Sequence, residues 1–356
     1  MTQKNNDREE VEIRALVYHF KDTFESKEKI QEKITRFIEL KEKFEEITST
    51  PIRSTRIVLP AVNPQSLEKI LKIYHELAEE YEINYIAVPH LPPSKPNNLI
   101  ELFETYPRFF TSTLFSREKL EILVKTLYDI SEASWLYGAR YAIAFRKILQ
   151  TPYFPITTSY EEGVTISLLY TELLKNNIDK PGKVEKKLAE IVKNAEKTFP
   201  KFLGIDYSLS PWMENSVAEV IEKKSGKMFT LPGTISSIIQ INRMIQDLAK
   251  NKGLGYNEIM LPLGEDNRLK ELALNLQLRF SHLLSYTAFC VAGLDMVPIP
   301  DTTEPEVVKN ILLDLDQISI QKNKPLGLRI ILPSAEDGTE ITLGFFGKIP
   351  VLNPLL

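Results

Sequence analysis

The chain alternates between short runs of apolar residues and longer stretches in which apolar residues recur every three or four positions. The short runs have the length and continuity of strands buried on both faces, as in a parallel sheet covered by helices. The sequence predicts strands at Glu12–Val17, Arg56–Pro60, Ile83–Val88, Phe109–Phe115, Arg140–Phe145, Gly204–Leu209, Glu258–Leu263, Thr287–Gly293 and Leu326–Leu332.

Amphipathic helices are predicted between these strands. In the first, from Ser26 to Ile47, apolar residues such as Ile30, Ile34 and Phe37 recur at helical spacing. Its many charges of both signs are typical of a solvated helix face with ion pairs between successive turns, and a partner-binding helix is the alternative. Further helices are predicted after Ser66, from Ser116 to about Tyr137, at Val164–Asn176 and at Pro181–Thr198.

Strands that alternate with helices in this way are typical of α/β proteins with a largely parallel sheet. No stretch has the composition of a linker and no repeat is visible, so we predict one domain over residues 1–356, with residues 1–10 disordered. A closed or nearly closed barrel accommodates so many parallel strands better than an open sheet. The sequence therefore predicts a single-domain α/β barrel of about ten strands.

Composition and charge exclude several classes of protein. The 356 residues include 44 Lys and Arg and 48 Asp and Glu, a net charge of −4, whereas a general nucleic-acid-binding protein normally has a basic excess. Cys290 is the single cysteine, so no intramolecular disulfide can form. The first residues are polar, and the most apolar late segment is too polar for a membrane span. We expect a cytoplasmic protein without nucleic-acid or membrane partners, whose abundant Lys, Glu and Ile resemble heat-adapted compositions.

Polar side chains follow several predicted strands, at the ends where α/β proteins bind ligands. Glu214 lies in the turn after one strand, and Asn215 or Ser216 is placed to cap the next helix. Gly233 and Thr234 lie at the start of another predicted helix, where free amides could hold an anion. The sequence predicts substrate contacts at these positions.

Carboxylates are the most numerous candidate groups. Glu265 and Asp266 lie together at a strand-to-helix junction, where they either act chemically or cap helix amides. Cys290 is either a nucleophile or a small buried apolar residue. Asp295 lies within an apolar stretch, so it must cap a turn, pair with a cation such as Arg329, or bind a ligand.

Several familiar catalytic motifs are absent from the sequence. None of the four histidines has zinc-ligand spacing, and there is no nucleophile elbow, phosphate-binding loop or dinucleotide-binding glycine motif. Catalysis by this chain would therefore rest on carboxylates, with or without Mg²⁺ or Mn²⁺. Asp266 and Asp295 are the candidate metal ligands.

Eight segments together resemble one family. They are VEIRAL, TPYFPITTSYEEG, DYSLSPWMENSVAEVIE, LPGTISS, IMLPLGED, FCVAGLDMVPIPDTT, KPLGLRIILP and FFGKIPVLNP, in this order from about Val11 onward. The family is the one called domain of unknown function 711, or uncharacterised protein family 0210, and CVAGLDMVPIP is the most specific segment. Two features depart from it: Asp301 follows Pro300 without an intervening glycine, and PITTSYEEG lacks a His-Gly pair of bacterial members.

The resemblance implies a ten-stranded α/β barrel of the pyruvate formate-lyase type, with the site at the barrel mouth. It maps the site onto Glu214, Ser216, Gly233, Thr234, Glu265, Asp266, Cys290, Asp295 and Arg329. Glycyl-radical chemistry is not expected, because Gly344 and Gly347 lack the Arg-Val-x-Gly-Tyr setting of a radical glycine.

Three functions remain open from the sequence. The first is an enzyme for a small polar or anionic substrate at a carboxylate-rich barrel mouth, in which Arg329 binds the anion and Thr234 orients it. The second is a non-catalytic metabolite-binding or regulatory protein, and the third is a structural subunit that binds a partner. A homodimer is expected in each case.

Overall fold

The computed structural model describes residues 11–92 and 98–356, so the expected disorder of residues 1–10 lies outside the described residues. Strands and helices alternate along most of this part of the chain. The strands are β1 (Glu12–His19), β2 (Thr55–Val58), β3 (Tyr85–Ala87), β4 (Phe109–Leu114), β5 (Tyr141–Phe145), β6 (Gly163–Leu169), β7 (Phe202–Asp206), β8 (Leu294–Pro298), β9 (Leu326–Ile331), β10 (Glu340–Thr342) and β11 (Lys348–Pro350).

The helices cover the sheet and supply much of the core. They are α1 (Lys27–Thr48), α2 (Leu67–Glu80), α3 (Leu99–Thr105), α4 (Leu120–Ser134), α5 (Thr171–Asn176), α6 (Pro181–Thr198), α7 (Val217–Ser225), α8 (Thr234–Leu248), α9 (Asn267–Leu274), α10 (Phe280–Tyr286) and α11 (Pro305–Lys322). The first begins after Ser26, whose side chain accepts a hydrogen bond from the backbone N–H of Lys29 and so caps the helix. Across the described ranges no helix is both long and apolar enough to cross a membrane.

Nine strands form one mixed sheet in the order β7-β6-β1-β2-β3-β4-β5-β9-β8. Strands β1 to β5 are parallel to one another, as are β6 with β7 and β8 with β9. The β1–β6 and β5–β9 pairs are antiparallel. The N-terminal ends of β1 to β5 therefore lie at the same edge as the C-terminal ends of β6 to β9, whereas the sequence predicted a largely parallel sheet.

The assigned strands do not form the closed barrel that the sequence predicted, because β7 and β8 are edge strands. Isolated bridges continue the pairing beyond these edges and join Ile205 to Gly253, Leu209 to Ile259, and Met260 to Val291. The predicted strands at 258–263 and 287–293 take part only in such bridges. Pro262 has no N–H to donate, and Ala292 and Gly293 have φ values of 69° and 71° that interrupt an extended backbone.

One predicted helix is wrong in its first half. Residues Val164–Asn176 contain most of β6, followed by α5 at Thr171–Asn176. All seven residues of β6 are buried, so its apolar positions show no alternation that would distinguish a strand from a buried helix. The predicted helix at Pro181–Thr198 is confirmed.

The two faces of the sheet are covered differently. Side chains such as Ile13, Leu16 and Ile57 point into the main core with the helices. The opposite face carries a small cluster of Ala15, Val17, Val58 and Ala87, and Phe154 packs against it. Phe154 belongs to the segment between β5 and β6, so this connection, and not a helix, covers the face on which the site lies.

Candidate functional site

A cavity of about 750 Å³ opens at the edge where the N-terminal ends of β1 to β4 meet strands of opposite direction. The tip of the β5–β6 connection, residues 153–156, and the β10–β11 hairpin, residues 343–346, complete its walls. Six lining residues come from strands, and they are Arg14 (β1), Arg56 (β2), Tyr85 (β3), Phe110 (β4), Asp295 (β8) and Arg329 (β9). The sheet therefore gathers charged and aromatic side chains around one space.

Two β-bulges lie beside charged residues of the cavity. The register between β1 and β6 shifts between Ile13 and Ala15, which leaves Arg14 as the extra residue. The register between β8 and β9 shifts after Asp295, and Met296, with a φ of 53°, is the extra residue there. Because a bulge changes the direction in which nearby side chains point, these two bulges help to turn Arg14 and Asp295 towards the cavity.

Arg14, Glu265, Asp295 and Arg329 form a group that we call the charged network. Glu265 accepts hydrogen bonds from the guanidinium of Arg14 and, at 3.3 Å, from Nη2 of Arg329. Arg329 also donates to both oxygens of Asp295, with Nε–Oδ1 at 2.5 Å and Nη2–Oδ2 at 2.9 Å. The network contains two arginines and two carboxylates, so its formal charges cancel.

The two carboxyl groups of the charged network differ in their pKa shifts. Burial raises the pKa of Glu265, but Arg14 and Arg329 outweigh this effect and hold the pKa below its usual range. Asp295 has one arginine partner, and burial raises its pKa in spite of Arg329. Glu265 is therefore the permanent anion of the network, and Asp295 is the carboxyl group more easily protonated.

Two further arginines of the lining are held by protein groups. Arg53 forms an ion pair with Glu12, and its guanidinium lies 5.7 Å from the ring centre of Trp212. Arg140 donates to three main-chain carbonyl groups at distances of 2.7 to 3.3 Å. Arg53 therefore has a carboxylate that balances its charge, and Arg140 has three carbonyl acceptors.

Arg56 differs from the other arginines of the lining. Its Nε donates to Oγ of Ser54 at 2.9 Å and its Nη1 to a main-chain carbonyl at 3.2 Å, while its guanidinium lies 5.0 Å from the ring centre of Phe154 and 5.5 Å from that of Tyr85. Within residues 11–92 and 98–356, no carboxylate forms an ion pair with it. Burial and the neighbouring Arg14 lower the pKa of Arg56 to about 10, so it remains charged at neutral pH.

The cavity is arginine-rich, whereas the sequence led us to expect a carboxylate-rich site. Its lining contains five arginines and two carboxylates. Three of the nine predicted site residues line it, namely Glu265, Asp295 and Arg329. Of the three outcomes left open for Asp295, pairing with Arg329 is confirmed. The other six predicted residues, Glu214, Ser216, Gly233, Thr234, Asp266 and Cys290, do not line the cavity.

Asp266 caps two helices at once. Its Oδ2 accepts hydrogen bonds from the backbone N–H groups of Val217 and Ala218 at the start of α7, at 2.9 and 3.2 Å. Its Oδ1 accepts from the N–H groups of Arg268 and Leu269 at the start of α9, at 3.0 and 3.2 Å. Both oxygens are occupied, as in the helix-capping alternative weighed for this residue.

Replacement of Asp266 by alanine is expected to lower the free energy of unfolding by about 2–4 kcal/mol, because two helix N-termini lose their acceptor and buried N–H groups lose their partner. Urea denaturation measures this loss. Asp247, an exposed aspartate paired with Lys250, is the matched control, and Asp247→Ala should change stability little. Equal effects of the two substitutions would contradict the capping role.

Glu214 and Ser216 contact other parts of the α7–α9 region. Glu214 is exposed and accepts a hydrogen bond from Nδ2 of Asn267 at 2.7 Å. Ser216 is the N-cap of α7, and its side chain accepts from the backbone N–H of Glu219 at 3.0 Å. The predicted capping role of Ser216 is confirmed.

Gly233 and Thr234 lie at the start of α8, as predicted. Gly233 precedes the helix with a φ of 112°, and the buried Thr234 donates its hydroxyl to the carbonyl of Leu231 at 2.8 Å. These contacts are local, so the two residues act on the geometry of the turn before the helix.

Cys290 is buried away from the cavity, and burial raises the pKa of its thiol to about 12. We expect reaction with a thiol reagent at neutral pH to be far slower in the folded protein than in guanidinium, because both access and thiolate are lacking. Timed labelling followed by mass spectrometry measures both rates. Equally fast labelling in the two conditions would contradict this placement.

The structure does not bring predicted metal ligands together. Within the described ranges, no group of three or more His, Cys, Asp or Glu side chains is arranged to hold a metal ion. Asp295 is paired with Arg329, and both oxygens of Asp266 accept backbone hydrogen bonds. A metal at either carboxylate would have to replace these partners.

Arg14 and Arg56 are the functional candidates that the sequence analysis missed. Each is a lone charge within an apolar run, in VEIRALV and TRIVLP respectively. A charge within a buried strand is costly unless it is paired or has a function, so this pattern was the available signal. Both residues lie within strands, whereas the rule for ligand sites in parallel sheets points to residues that follow strands.

A family profile described as "Uncharacterised ACR (DUF711)" matches residues 161–343, just over half of the chain. The chain belongs to this family. The DUF711 match includes Trp212 and three members of the charged network, Glu265, Asp295 and Arg329. Arg14 and Arg56 precede the matched region, so the cavity combines side chains from inside and outside the DUF711 match.

Curated relatives of this chain are named UPF0210 proteins, after uncharacterised protein family 0210. A UPF0210 protein of Methanopyrus kandleri is 32% identical over 173 residues, 45% of this chain and 37% of the relative. A UPF0210 protein of Streptococcus suis is 29% identical over 175 residues, 47% of this chain and 39% of the relative. One of Pyrobaculum arsenaticum is 29% identical over 163 residues, 43% and 36% respectively. The chain thus covers less than two fifths of the length of these relatives.

Proposed function

We propose that this protein binds a small organic anion in the cavity, with Arg56 as the principal ionic contact. The observation that carries the proposal is the charge of the lining, in which five arginines accompany two carboxylates. Both carboxylates already pair with Arg14 or Arg329. A guanidinium removed from water without an anionic partner is costly, and an anionic ligand would offset that cost.

The size and the walls of the cavity favour a small molecule. Its volume of about 750 Å³ lies within the range of small-molecule sites. Apolar side chains such as Phe110, Ile156 and Met260 form much of the surface between the arginines. A ligand with a charged group and an apolar body matches this combination.

Proton transfer by Asp295 is a second candidate function. Asp295 lines the cavity beside a bulge, and burial raises its pKa, as is common for catalytic carboxyl groups. Glu265 remains ionised and holds Arg14 and Arg329 in place. With this step the protein is an enzyme; without it, the same cavity serves a metabolite-binding or regulatory protein.

Hydrogen exchange on the bound ligand tests this second function. In D₂O we expect the wild type to replace carbon-bound hydrogen next to the ligand's carboxylate by deuterium, and Asp295→Asn to slow this exchange by about 100-fold or more. Asp301, which lies outside the cavity lining, is the matched control as Asp301→Asn. Proton NMR of the ligand follows the loss of signal. Equal exchange in wild type and Asp295→Asn would contradict the assignment, and no exchange by the wild type would favour the non-catalytic alternative.

We also propose that the strands close into a ring of the pyruvate formate-lyase type. The bridges through Met260 and Val291 support this arrangement, because they continue the pairing from both edges of the sheet. The proposal includes no glycyl radical. Gly344 lines the cavity but Cys290 does not, and a shared fold does not carry a shared reaction.

Thermal unfolding with matched ligand pairs tests the binding function. The panel contains carboxylates and phosphate monoesters, each with a neutral amide or alcohol of similar shape. An anion at 100 times its dissociation constant should stabilise the fold by about 2.7 kcal/mol, and its neutral partner should stabilise it much less. Mg²⁺ and Mn²⁺ are added separately, because Asp266 and Asp295 are the candidate metal ligands. Equal shifts within every pair, or no shift with any anion, would contradict the proposal.

A further inference from the structure

The cavity contains two groups of aromatic side chains, each with arginines against its rings. The first, which we call the strand aromatic group, consists of Tyr85, Phe110 and Phe154. The ring centres of Tyr85 and Phe110 are 5.2 Å apart, and those of Phe110 and Phe154 are 5.9 Å apart. Arg56 lies over two of these rings, so this group surrounds the cation proposed to bind the anion.

The second group, which we call the hairpin aromatic group, consists of Trp212, Phe345 and Phe346. The ring centre of Trp212 is 5.9 Å from those of both phenylalanines, and the two phenylalanine rings are 4.3 Å apart. Phe345 and Phe346 lie in the loop of the β10–β11 hairpin. All three side chains line the cavity.

The arginines near the two groups differ in charge compensation. The guanidinium groups of Arg14 and Arg53 lie 5.3 and 5.7 Å from the ring centre of Trp212. Arg14 is paired with Glu265 and Arg53 with Glu12. The positive charge near Trp212 is therefore compensated, whereas the charge of Arg56 is not paired with a carboxylate in the described part of the chain.

The hairpin aromatic group offers apolar surface instead of charge. Phe345 is 63% exposed, which is unusual for a phenylalanine that lies against other rings. A ligand that covers this ring removes apolar surface from water, and a flat ring gains additional stacking that an aliphatic ring lacks. An anionic group would gain less here than at Arg56, because Glu12 and Glu265 already compensate the nearby arginines.

The separation of the two groups sets the length of the ligand. The strand aromatic group lies on β3, β4 and the β5–β6 connection, whereas the hairpin aromatic group lies on the β10–β11 hairpin and the segment after β7. A ligand that contacts both groups must therefore have its ring several bonds from its anionic group.

We infer that the ligand is an aryl-substituted anion, whose ring packs on Trp212 and Phe345 while its carboxylate or phosphate pairs with Arg56. This inference rests on the proposed function and adds the class of ligand and its orientation. The hairpin aromatic group thereby selects ligands by the shape of their apolar end, and Arg56 selects them by charge.

Three probes of nearly equal size test the inference. They are 4-phenylbutyrate, 4-cyclohexylbutyrate, which has a puckered ring, and 4-phenylbutyramide, which is neutral. Isothermal titration of the purified full chain measures the affinity of each. We expect 4-phenylbutyrate to bind about two- to tenfold more tightly than 4-cyclohexylbutyrate, although the saturated ring is the more apolar of the two.

Two variants locate the preference for a flat ring. Phe345→Leu should reduce the difference between the two carboxylates, because leucine leaves apolar surface but no ring, and Trp212 remains as the one flat partner named for the ligand. Phe24→Leu is the matched control, since Phe24 is 60% exposed and lies outside the cavity lining. It should leave the preference unchanged.

Fluorescence supplies a readout at the proposed position of the ring. The chain has two tryptophans, so Trp135→Phe leaves Trp212 as the single indole. In this variant 4-phenylbutyrate should change the Trp212 emission at saturation, and an unchanged emission at saturation would contradict the proposed position of the ring.

The outcomes separate the inference from the function on which it rests. If both carboxylates bind equally well and more tightly than the amide, or if the phenyl preference is as large in Phe345→Leu as in the wild type, the aryl inference is overturned and anion binding stands. If the amide binds as tightly as 4-phenylbutyrate, anion binding fails. If none of the three probes binds, the aryl inference is overturned, and the panel of carboxylates and phosphate monoesters decides anion binding.

Discussion

Replacement of Arg56 by glutamine is expected to weaken the binding of a carboxylate ligand by about 10- to 100-fold, the factor that corresponds to one lost charge-assisted hydrogen bond. Arg56 lines the cavity without a carboxylate partner among the described residues. Arg140 also lacks one, but it donates to three main-chain carbonyl groups, whereas Arg56 donates to one. Glutamine keeps a donor near Ser54 but has no charge. Titration calorimetry of both proteins with the same carboxylate measures the change.

The stability of the Arg56→Gln variant distinguishes a binding role from a structural one. Burial and Arg14 lower the pKa of Arg56, which means that its charged form is disfavoured in the folded protein. Its removal should therefore change the free energy of unfolding by less than about 1 kcal/mol. Arg36→Gln, at an exposed arginine of α1, is the control for loss of a positive charge. A large loss of stability with unchanged affinity would show that Arg56 supports the fold and not the ligand.

Replacement of Glu265 by glutamine is expected to have the largest effect on stability, a loss of about 3–5 kcal/mol. Arg14 and Arg329 are 7% and 6% exposed, and Arg14 has no other carboxylate partner among the described residues. Glutamine therefore leaves buried positive charge without compensation. Urea denaturation at neutral pH measures the difference in the free energy of unfolding.

The pH dependence of this difference identifies the charge of Glu265 as its cause. The folded-state pKa of Glu265 lies below the ordinary value of 4.5, so its stabilising contribution is present above pH 4.5 and is lost as the pH falls through the folded-state pKa. The wild type should therefore approach the Glu265→Gln variant as the solution becomes acidic.

A surface pair provides the control for Glu265. Glu39 pairs with Arg36 on the exposed face of α1, and Glu39→Gln should cost at most about 1 kcal/mol. A loss in Glu265→Gln no greater than that in Glu39→Gln would contradict the view that the charged network is a buried, mutually dependent unit.

Local patterns in the sequence predicted most of the elements but not their relative directions. The apolar runs at Phe109–Phe115 and Leu326–Leu332 correspond to β4 and β9 within one residue at each end. Hydrophobic patterning reports burial, and it is the same for parallel and antiparallel neighbours. The opposite direction of β6 relative to β1 depends on long-range pairing, so the sequence predicted a largely parallel sheet.

The strand directions, which the sequence did not predict, also explain why Arg14 and Arg56 were not predicted as site residues. In a parallel sheet, functional residues follow strands, and that rule led to Glu265 and Asp295. Because the central strands run the other way at the cavity, their contributions come from positions at or near the N-terminal ends, including Arg14 and Arg56.

The different orientations of two neighbouring acidic residues in a turn were also not predictable from the sequence. Glu265 enters the cavity, while Asp266 points to the N-termini of α7 and α9. Adjacent acids of the same chemical type cannot be assigned to different sides from sequence, because a turn has no fixed periodicity. The pairing of Asp295 with Arg329 could be predicted from the sequence, because a buried carboxylate requires a partner of opposite charge.

The most direct test of the central claim combines a change in ligand charge with a change at Arg56. Titration calorimetry of wild type and Arg56→Gln with a carboxylate and its matching amide gives four affinities, and their ratio isolates the interaction between the two charges. The proposed function predicts a carboxylate preference of about tenfold or more in the wild type that disappears in Arg56→Gln. An equal preference in both proteins would contradict the claim that Arg56 binds the anion in this cavity.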